Sequence, residues 1–409
     1  MKRVMNRVTN RITNRVTKKV MKKVLKAAVP VFLFILVPLT GCGTGSVTYG
    51  EIPPPPHRQP APAVPAPPTG GTVAGSPIET ATELATELTT VEAAGAAGNI
   101  PADEIFTLSF AHVANTDHPR GYMIERFADI VEERSGGRLV VNVFPESQLG
   151  NDFEVMTQIM QDAIDLTSML SANMTHVIPE LALFDLPYLF FTMDQAAAAL
   201  DGALGDYITG IMAEHGLVNF GFLTSGFKHL TNNVRPITSV QDLDGVQMRV
   251  SQSHFLVAQF QAINAGGISI PFGDLYAAFE AGLADGQENP FATIISARFY
   301  EVQDYITISN HGFTIYPIFI SAEGYNRLPA DLRRIVRDAF AEIQPVQWNM
   351  IEDAAAEQLA YLYTTDINVN YLSDEAMQGF REAMQVVYDE FAEVPGGATM
   401  LALVESFVN

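Results

Sequence analysis

From residue 105 onward, apolar runs and amphipathic stretches alternate along the chain. The strand-like run 105-IFTLSFAHV-113 is followed by 119-PRGYMIERFADIVEERSGG-137. In the latter, Met123, Phe127, Ile130 and Val131 fall at helical spacing and Ser-Gly-Gly ends the pattern. A strand over 138–144, a helix over 151–163 and the run 164-IDLTSML-170 continue the rhythm. It resumes with strands at 217–223 and 246–251 and a helix at 253–265. This alternation predicts an α/β fold with largely parallel sheets. The last third reads as helix, above all residues 330–365, a pattern that Pro345 is expected to kink or split.

The stretch 281-AGLADGQENPF-291 reads as a joint between two helices. Leu275 and Phe279 share one face of the first helix, and Gly282 suits its C-terminal cap. Asn289 and Pro290 read as N-cap and first residue of the second, whose apolar stripe is Phe291, Ile294, Ile295 and Phe299.

The front of the chain follows no such rhythm. Residues 2–26 repeat a basic tetrad without acids, and 27-AAVPVFLFILVPL-39 is apolar but short for a membrane span. Residues 1–41 therefore read as a secretory signal. The ending 39-LTGC-42 resembles the lipobox of bacterial lipoproteins, which implies cleavage before Cys42 and its acylation. Residues 42–103, rich in Pro, Ala and Thr, cannot bury enough apolar surface to offset their ordering entropy and read as a disordered tether. Residues 104–409 form the globular body.

Charge sharpens this division. Residues 1–42 hold ten Lys/Arg and no acid, whereas the rest holds 14 basic and 46 acidic side chains, a net of −32. Binding of nucleic acid by so acidic a body is excluded, because phosphate recognition needs a basic face. Cys42 is the only cysteine, so neither an intramolecular disulfide nor a cysteine metal cluster can form. The motifs of dinucleotide, phosphate, zinc-protease and serine-hydrolase sites are missing, and the histidines do not group as metal ligands. No catalytic residue, metal or cofactor is expected.

Three stretches in order, 242-DLDGVQMRV-250, 270-IPFGDLYAAFEAGLADGQENP-290 and 297-ARFYEVQDYITISNH-311, join 144-FPESQLGND-152 and 184-FDLPYLF-190 in a pattern. Together they resemble the solute-binding proteins of TRAP (tripartite ATP-independent periplasmic) transporters, over residues 105–395. The resemblance implies a two-lobed periplasmic-binding-protein-like fold, α/β in class, with a hinge and a long lobe-spanning helix. It also implies a small carboxylate ligand in the cleft, delivery to TRAP membrane permease subunits, and no enzymatic activity.

Residue by residue, Arg249 lies in 246-VQMRVS-251 on the less apolar strand face, where the pattern alone allows a solvated arginine. The resemblance makes it the carboxylate clamp, a role that suits a planar guanidinium. Lys228, the only lysine after Lys26, stands where many relatives carry a second arginine, or else is a surface lysine. Phe272 either packs on the ligand's carbon skeleton, as the resemblance implies, or staples the next helix. Asn289 caps a helix on local grounds and bonds ligand by resemblance. Position alone adds Asn115, His118, Met169, Ser171 and Tyr316, the last in a crossover. The run 168-SMLS-171 lacks the acidic and amide groups of sialic-acid-binding members. Two other readings compete: a subunit that presents its ligand to a membrane sensor, and an exported enzyme acting on small acids.

Overall fold

The structure, a computed structural model, describes residues 104–408. The expected signal, tether and Cys42 lie outside these residues. Strand β1 (Phe106–Ala111) pairs in parallel with β2 (Leu139–Phe144) and β3 (Leu166–Ser168). Helix α1 (Pro119–Ser135) connects the first two strands. Its start is capped by the His118 ring, its end by Gly136 in the left-handed region, and Met123, Phe127, Ile130 and Val131 are buried as their spacing predicts. Helix α2 (Asp152–Ile159) starts with a capping box between Asn151 and Glu154. Helices α3 (Met193–Leu200) and α4 (Ala203–Glu214) then lead into β4 (Leu217–Asn232).

A second parallel set follows: β5 (Gln247–Val250), β6 (Gly266–Ser269) and β7 (Gly286–Asn289), with α5 (His254–Gln261) and α6 (Leu275–Glu280) between them. After α7 (Phe291–Ser296) the chain returns through β8 (Tyr305–Ser321), α8 (Ala322–Arg327) and α9 (Ala330–Leu362). Strand β9 (Asn368–Tyr371) and helices α10 (Asp374–Ala383), α11 (Val386–Ala392) and α12 (Gly397–Val408) complete the body.

Strands β4 and β8 join the two sets. They run antiparallel along each other; β8 pairs β3 at one end, while β4 pairs β7 and β8 pairs β9 at the other. The result is two lobes on one sheet, ordered β2-β1-β3-β8-β4-β7-β5-β6. The parallel expectation therefore holds within each lobe but not along the pair that connects them. Tyr316, expected in a crossover, stands inside β8. Between the lobes the register of β4 and β8 shifts repeatedly. Lys228 opposite Gly312 is followed by Leu230 opposite Thr307, which leaves residues 308–311 bulged.

Helix α9 spans both lobes, packing on α1 and β4 and reaching α7. At 33 residues it is about 50 Å long. Of the two outcomes expected at Pro345, a split is ruled out: the helix runs through it without interruption. Four hydrogen bonds to β4 hold it on either side of that residue. Gln344 Oε1 accepts from Phe222 N at 2.8 Å, and Trp348 Nε1 donates to the Phe222 carbonyl at 2.7 Å. Gln347 accepts from Thr224 N at 3.1 Å and donates to the Thr224 carbonyl at 2.6 Å. These tertiary bonds outweigh the local cost of the missing N–H.

The stretch 281–291 differs from its reading as a simple joint. Gly282 does end α6 in the left-handed region, with φ 67°, and its N–H donates to the Phe279 carbonyl. Residues 286–289, however, form β7, a central strand made of buried polar residues. Asn289 is its last residue and does not cap α7. Pro290 occupies the N-cap position, and the Asn289 amide donates instead to Gln287 Oε1.

Candidate functional site

A cleft enclosing about 460 Å³ of empty space, open mouth included, lies between the lobes. Its floor on lobe 2 is built by β5. Met248 and Val250 turn into the hydrophobic core, so the alternation of the strand sends Arg249 to the opposite face, where it lines the cleft. Arg249 is only 4% exposed. Its Nε and Nη2 both donate to the Ile270 carbonyl, at 2.9 and 2.7 Å, which fixes the plane of the guanidinium. Burial pulls its pKa down to about 10, against the opposing pull of Glu288, Asp152 and Tyr316, so it stays charged at neutral pH.

Lobe 1 contributes a second buried guanidinium, Arg120 in the first turn of α1, which the sequence reading did not single out. Its Nη1 donates to the Ser168 carbonyl at 2.7 Å, and its guanidinium carbon lies 4.0 Å from the centre of the Tyr316 ring. Asp152, at the first position of α2, also lines the cleft and is buried. Its Oδ2 accepts from Asn173 Nδ2 at 2.5 Å. Burial raises the Asp152 carboxyl, while Asn173, Arg120 and Arg249 pull it down.

The remaining candidates separate clearly. Asn289, Phe272, Tyr316, His118 and Asn115 line the same cleft as Arg249. Phe272 is half-buried, edge-on to Phe299 at 5.9 Å. His118 is held neutral, at about 3, by burial and then by Arg120 and His112. Its Nδ1 accepts from Arg120 N, so Nε2 carries the proton, 3.3 Å from Ser225 Oγ and 3.4 Å from Thr293 Oγ1. Asn115 Nδ2 donates to the Ser296 carbonyl of lobe 2 at 2.8 Å.

Lys228 and Met169 stand apart from the cleft lining. Met169 is fully buried in the core, and the neighbouring Leu170 faces the cleft instead. Lys228 is also buried, and its Nζ pairs with Glu288 Oε1 at 2.7 Å. The other Glu288 oxygen meets His311 Nε2 at 2.8 Å, and His311 Nδ1 meets Ser309 Oγ at 2.7 Å. Burial pushes the Glu288 carboxyl up, but Lys228 and His311 outweigh it and hold the group at about 2. The sequence carried a signal for Asp152 and Arg120 only in retrospect. Each opens a helix, where polar residues are common for capping reasons alone.

Two α/β lobes, linked by two long strands and closing on a cleft with buried cations, define a protein built to enclose a small anionic solute. Residues 110–394 match the family described as bacterial extracellular solute-binding protein, family 7, and the chain belongs to that family. It is a solute-binding protein of the TRAP kind, in a family of binding proteins rather than enzymes. The C4-dicarboxylate-binding periplasmic protein DctP of Shewanella loihica is 32% identical over 301 residues, 73% of this chain and 89% of that one. Among solved structures, a TRAP periplasmic solute binding protein from Sulfurospirillum deleyianum with bound succinate is 30% identical, with a TM-score of 0.71. The match covers 75% of this chain and all of the other. The sugar acid binding protein DctPAm from Advenella mimigardefordensis, in complex with galactonate, is 28% identical with a TM-score of 0.72, covering 74% and 99%.

Proposed function

We propose that the protein captures a small organic acid in the interlobe cleft and delivers it to a TRAP permease, while tethered to a membrane through acylated Cys42. The observation that carries the ligand class is Arg249, a buried guanidinium held in one plane by a neutral carbonyl and lining an open cleft. Glu288 and Asp152 oppose this charge without forming an ion pair with it, and a carboxylate ligand offers both a direct counter-charge and two parallel hydrogen bonds. Asn289 supplies an amide beside it and Phe272 an apolar wall for the carbon skeleton. Lys228 serves the site from behind, by holding Glu288 next to Asn289. The ligands of the succinate- and galactonate-bound relatives are both organic acids, which supports the same class here. The chain then acts as a binder without enzymatic activity. The anchor rests on 39-LTGC-42, and Cys42→Ser should abolish incorporation of labelled fatty acid.

The test is thermal. Full-length protein screened against small organic acids should show a rise in Tm with at least one, since a ligand at 100 times its Kd stabilises the folded state by about 2.7 kcal/mol. Arg249→Ala should remove most of that rise. Equal binding by Arg249→Ala and the unmodified protein would refute the clamp.

A further inference from the structure

The stretch 184-FDLPYLFF-191 lines no part of the interlobe cleft. Phe184, Leu186 and Leu189 turn into the core of lobe 1, while Tyr188 and Phe191 wall a separate open cavity of about 390 Å³. That volume falls in the range of small-molecule sites. Phe227 of β4, Asn310 of β8, and Met377 and Arg381 of α10 form its other sides, so its walls come from both lobes and from the strands between them.

Two features mark this cavity as more than a gap in packing. Tyr188 and Asn310 both hold left-handed backbone, φ 57° and 46°, a conformation that is costly for residues with side chains and concentrated at binding sites. The Tyr188 N–H ties the two turns together by donating to the His311 carbonyl at 2.7 Å. The Tyr188 side chain is 8% exposed, and its hydroxyl has no hydrogen-bond partner among the described residues. The second feature is Arg381, whose guanidinium carbon lies 4.7 Å from the centre of the Phe191 ring and 5.7 Å from that of Tyr188. A guanidinium laid on a ring face keeps its N–H edge free, and no carboxylate pairs with Arg381 among the described residues.

We propose that this cavity is a second binding site, apart from the cleft, and that it takes an aromatic monocarboxylate. The ligand's ring lies among Tyr188, Phe191 and Phe227, in the offset or edge-on contacts that aromatic groups favour. Its carboxylate meets the free edge of Arg381 through parallel hydrogen bonds. Asp374, on the same wall and also without a partner among the described residues, repels a second negative charge and so limits the ligand to one. The assignment does not depend on what the cleft binds.

The protein carries its own probe for this site. Phe227 packs on Phe313 at 4.9 Å and Phe313 on Trp348 at 6.0 Å, and Trp348 is the only tryptophan of the chain. Filling the cavity should therefore change the Trp348 emission, excited at the red edge where phenyl rings do not absorb. Benzoate, phenylacetate and 3-phenylpropionate are titrated into full-length protein and followed by that emission and by calorimetry. At least one should saturate with a Kd below about 1 mM, and its neutral amide should bind at least about 10-fold more weakly. Cyclohexylacetate should bind more weakly than phenylacetate. Arg381→Gln should weaken the acid by about 10-fold or more, and Phe191→Ser by about 5-fold. Both altered residues are exposed, so urea unfolding should not change and lost binding is not lost folding. Arg249→Ala, in the cleft, should leave this Kd within about 2-fold. Four outcomes overturn the assignment. They are no saturation by any of the three acids up to about 10 mM, equal binding of acid and amide, equal binding of the cyclohexyl and phenyl acids, or loss on Arg249→Ala with Arg381→Gln unaffected, which would put the acid in the cleft.

Discussion

The side-chain amide of Asn115, in the turn after β1, donates to the Ser296 carbonyl at the end of α7, 2.8 Å away. The bond crosses from lobe 1 to lobe 2 at the cleft. Beside it, His118 Nε2 reaches Thr293 Oγ1 of the same helix, 3.4 Å away. These contacts exist only while the lobes are together, so they act as latches on the closed form. Asn115→Ala should therefore speed ligand release and weaken binding by about 2- to 10-fold, the worth of one neutral hydrogen bond. The loss should be the same for every ligand, because the latch does not read the solute. A change in ligand ranking, measured by calorimetry across a panel of acids, would instead make Asn115 a direct ligand contact.

The Lys228–Glu288 pair predicts a stability pattern rather than a binding one. Both groups are buried and share their charges with His311 and not with solvent. Lys228→Met leaves Glu288 with only His311 and should cost roughly 3–5 kcal/mol in denaturant unfolding. Adding Glu288→Gln should recover a substantial part of that loss, since the second change removes the stranded charge. Additive losses in the double mutant would show that the two residues do not act as a pair.

Acid should destabilise the fold before its carboxylates titrate. His112, His118 and His229 are each held at about 3 by burial, against an ordinary 6.5; Arg120 adds to the shift for the first two and His311 for the third. The unfolded chain thus takes up protons that the folded one refuses. Their stabilisation is complete above about pH 6.5 and is lost as pH falls toward 3. Asp185 opposes this: burial pushes it up to about 7 from 3.8, so its contribution is largest at low pH and is lost as pH rises through 7. Three histidines outweigh one aspartate, so stability should fall on acidification from pH 6.5 to about 4.5. Each histidine carries on the order of 1.4 kcal/mol per pH unit, and His229→Gln should flatten the slope by that amount in urea titrations at stepped pH.

Gly286 admits no side chain. A Cβ there would stand 2.2 Å from the Thr231 carbonyl oxygen, 2.8 Å from Asn232 Cβ and 2.9 Å from Met248 Sδ. The first of these is backbone of the paired strand β4 and cannot swing aside. Gly286→Ala should cost several kcal/mol or prevent folding, read as a lowered Tm or loss of soluble protein, in line with overpacked cores. Gly282→Ala, where a Cβ meets nothing within 4 Å but the backbone has φ 67°, should cost only about 1 kcal/mol.

Much of this molecule was legible along the chain because local periodicity reports burial directly. The helix over 119–135, the alternation that turns Arg249 away from the core, and the glycine that ends α6 all follow from positions a few residues apart. Strand β7 was not legible. Gln287, Glu288 and Asn289 have the composition of a loop; Gln287 bonds Thr231 and Glu288 meets Lys228 and His311, partners from distant parts of the chain, while Asn289 bonds Gln287 within the strand. A strand that buries hydrogen-bonded polar groups carries no hydrophobic signature.

The site divides in the same way. Order and spacing of motifs pointed to the family, and through it to Arg249, Asn289 and Phe272, because those residues belong to stretches that the chain itself keeps together. Arg120 and Asp152 open two different helices and meet Arg249 only across the cleft, so no local pattern ties the three. Lys228 illustrates the converse: its solitary place in the sequence drew notice, but a lysine's role depends on whether a carboxylate stands within 3 Å, and Glu288, sixty positions later, settles that. Pro345 repeats the lesson in the backbone, where hydrogen bonds from Gln344, Gln347 and Trp348 to β4 keep a helix running through a residue that would break it in isolation. The sequence by itself determined the α/β rhythm, the acidic body and the class of site. Tertiary structure decided which charges are paired and which stand free, because pairing depends on distances that only the packed lobes create.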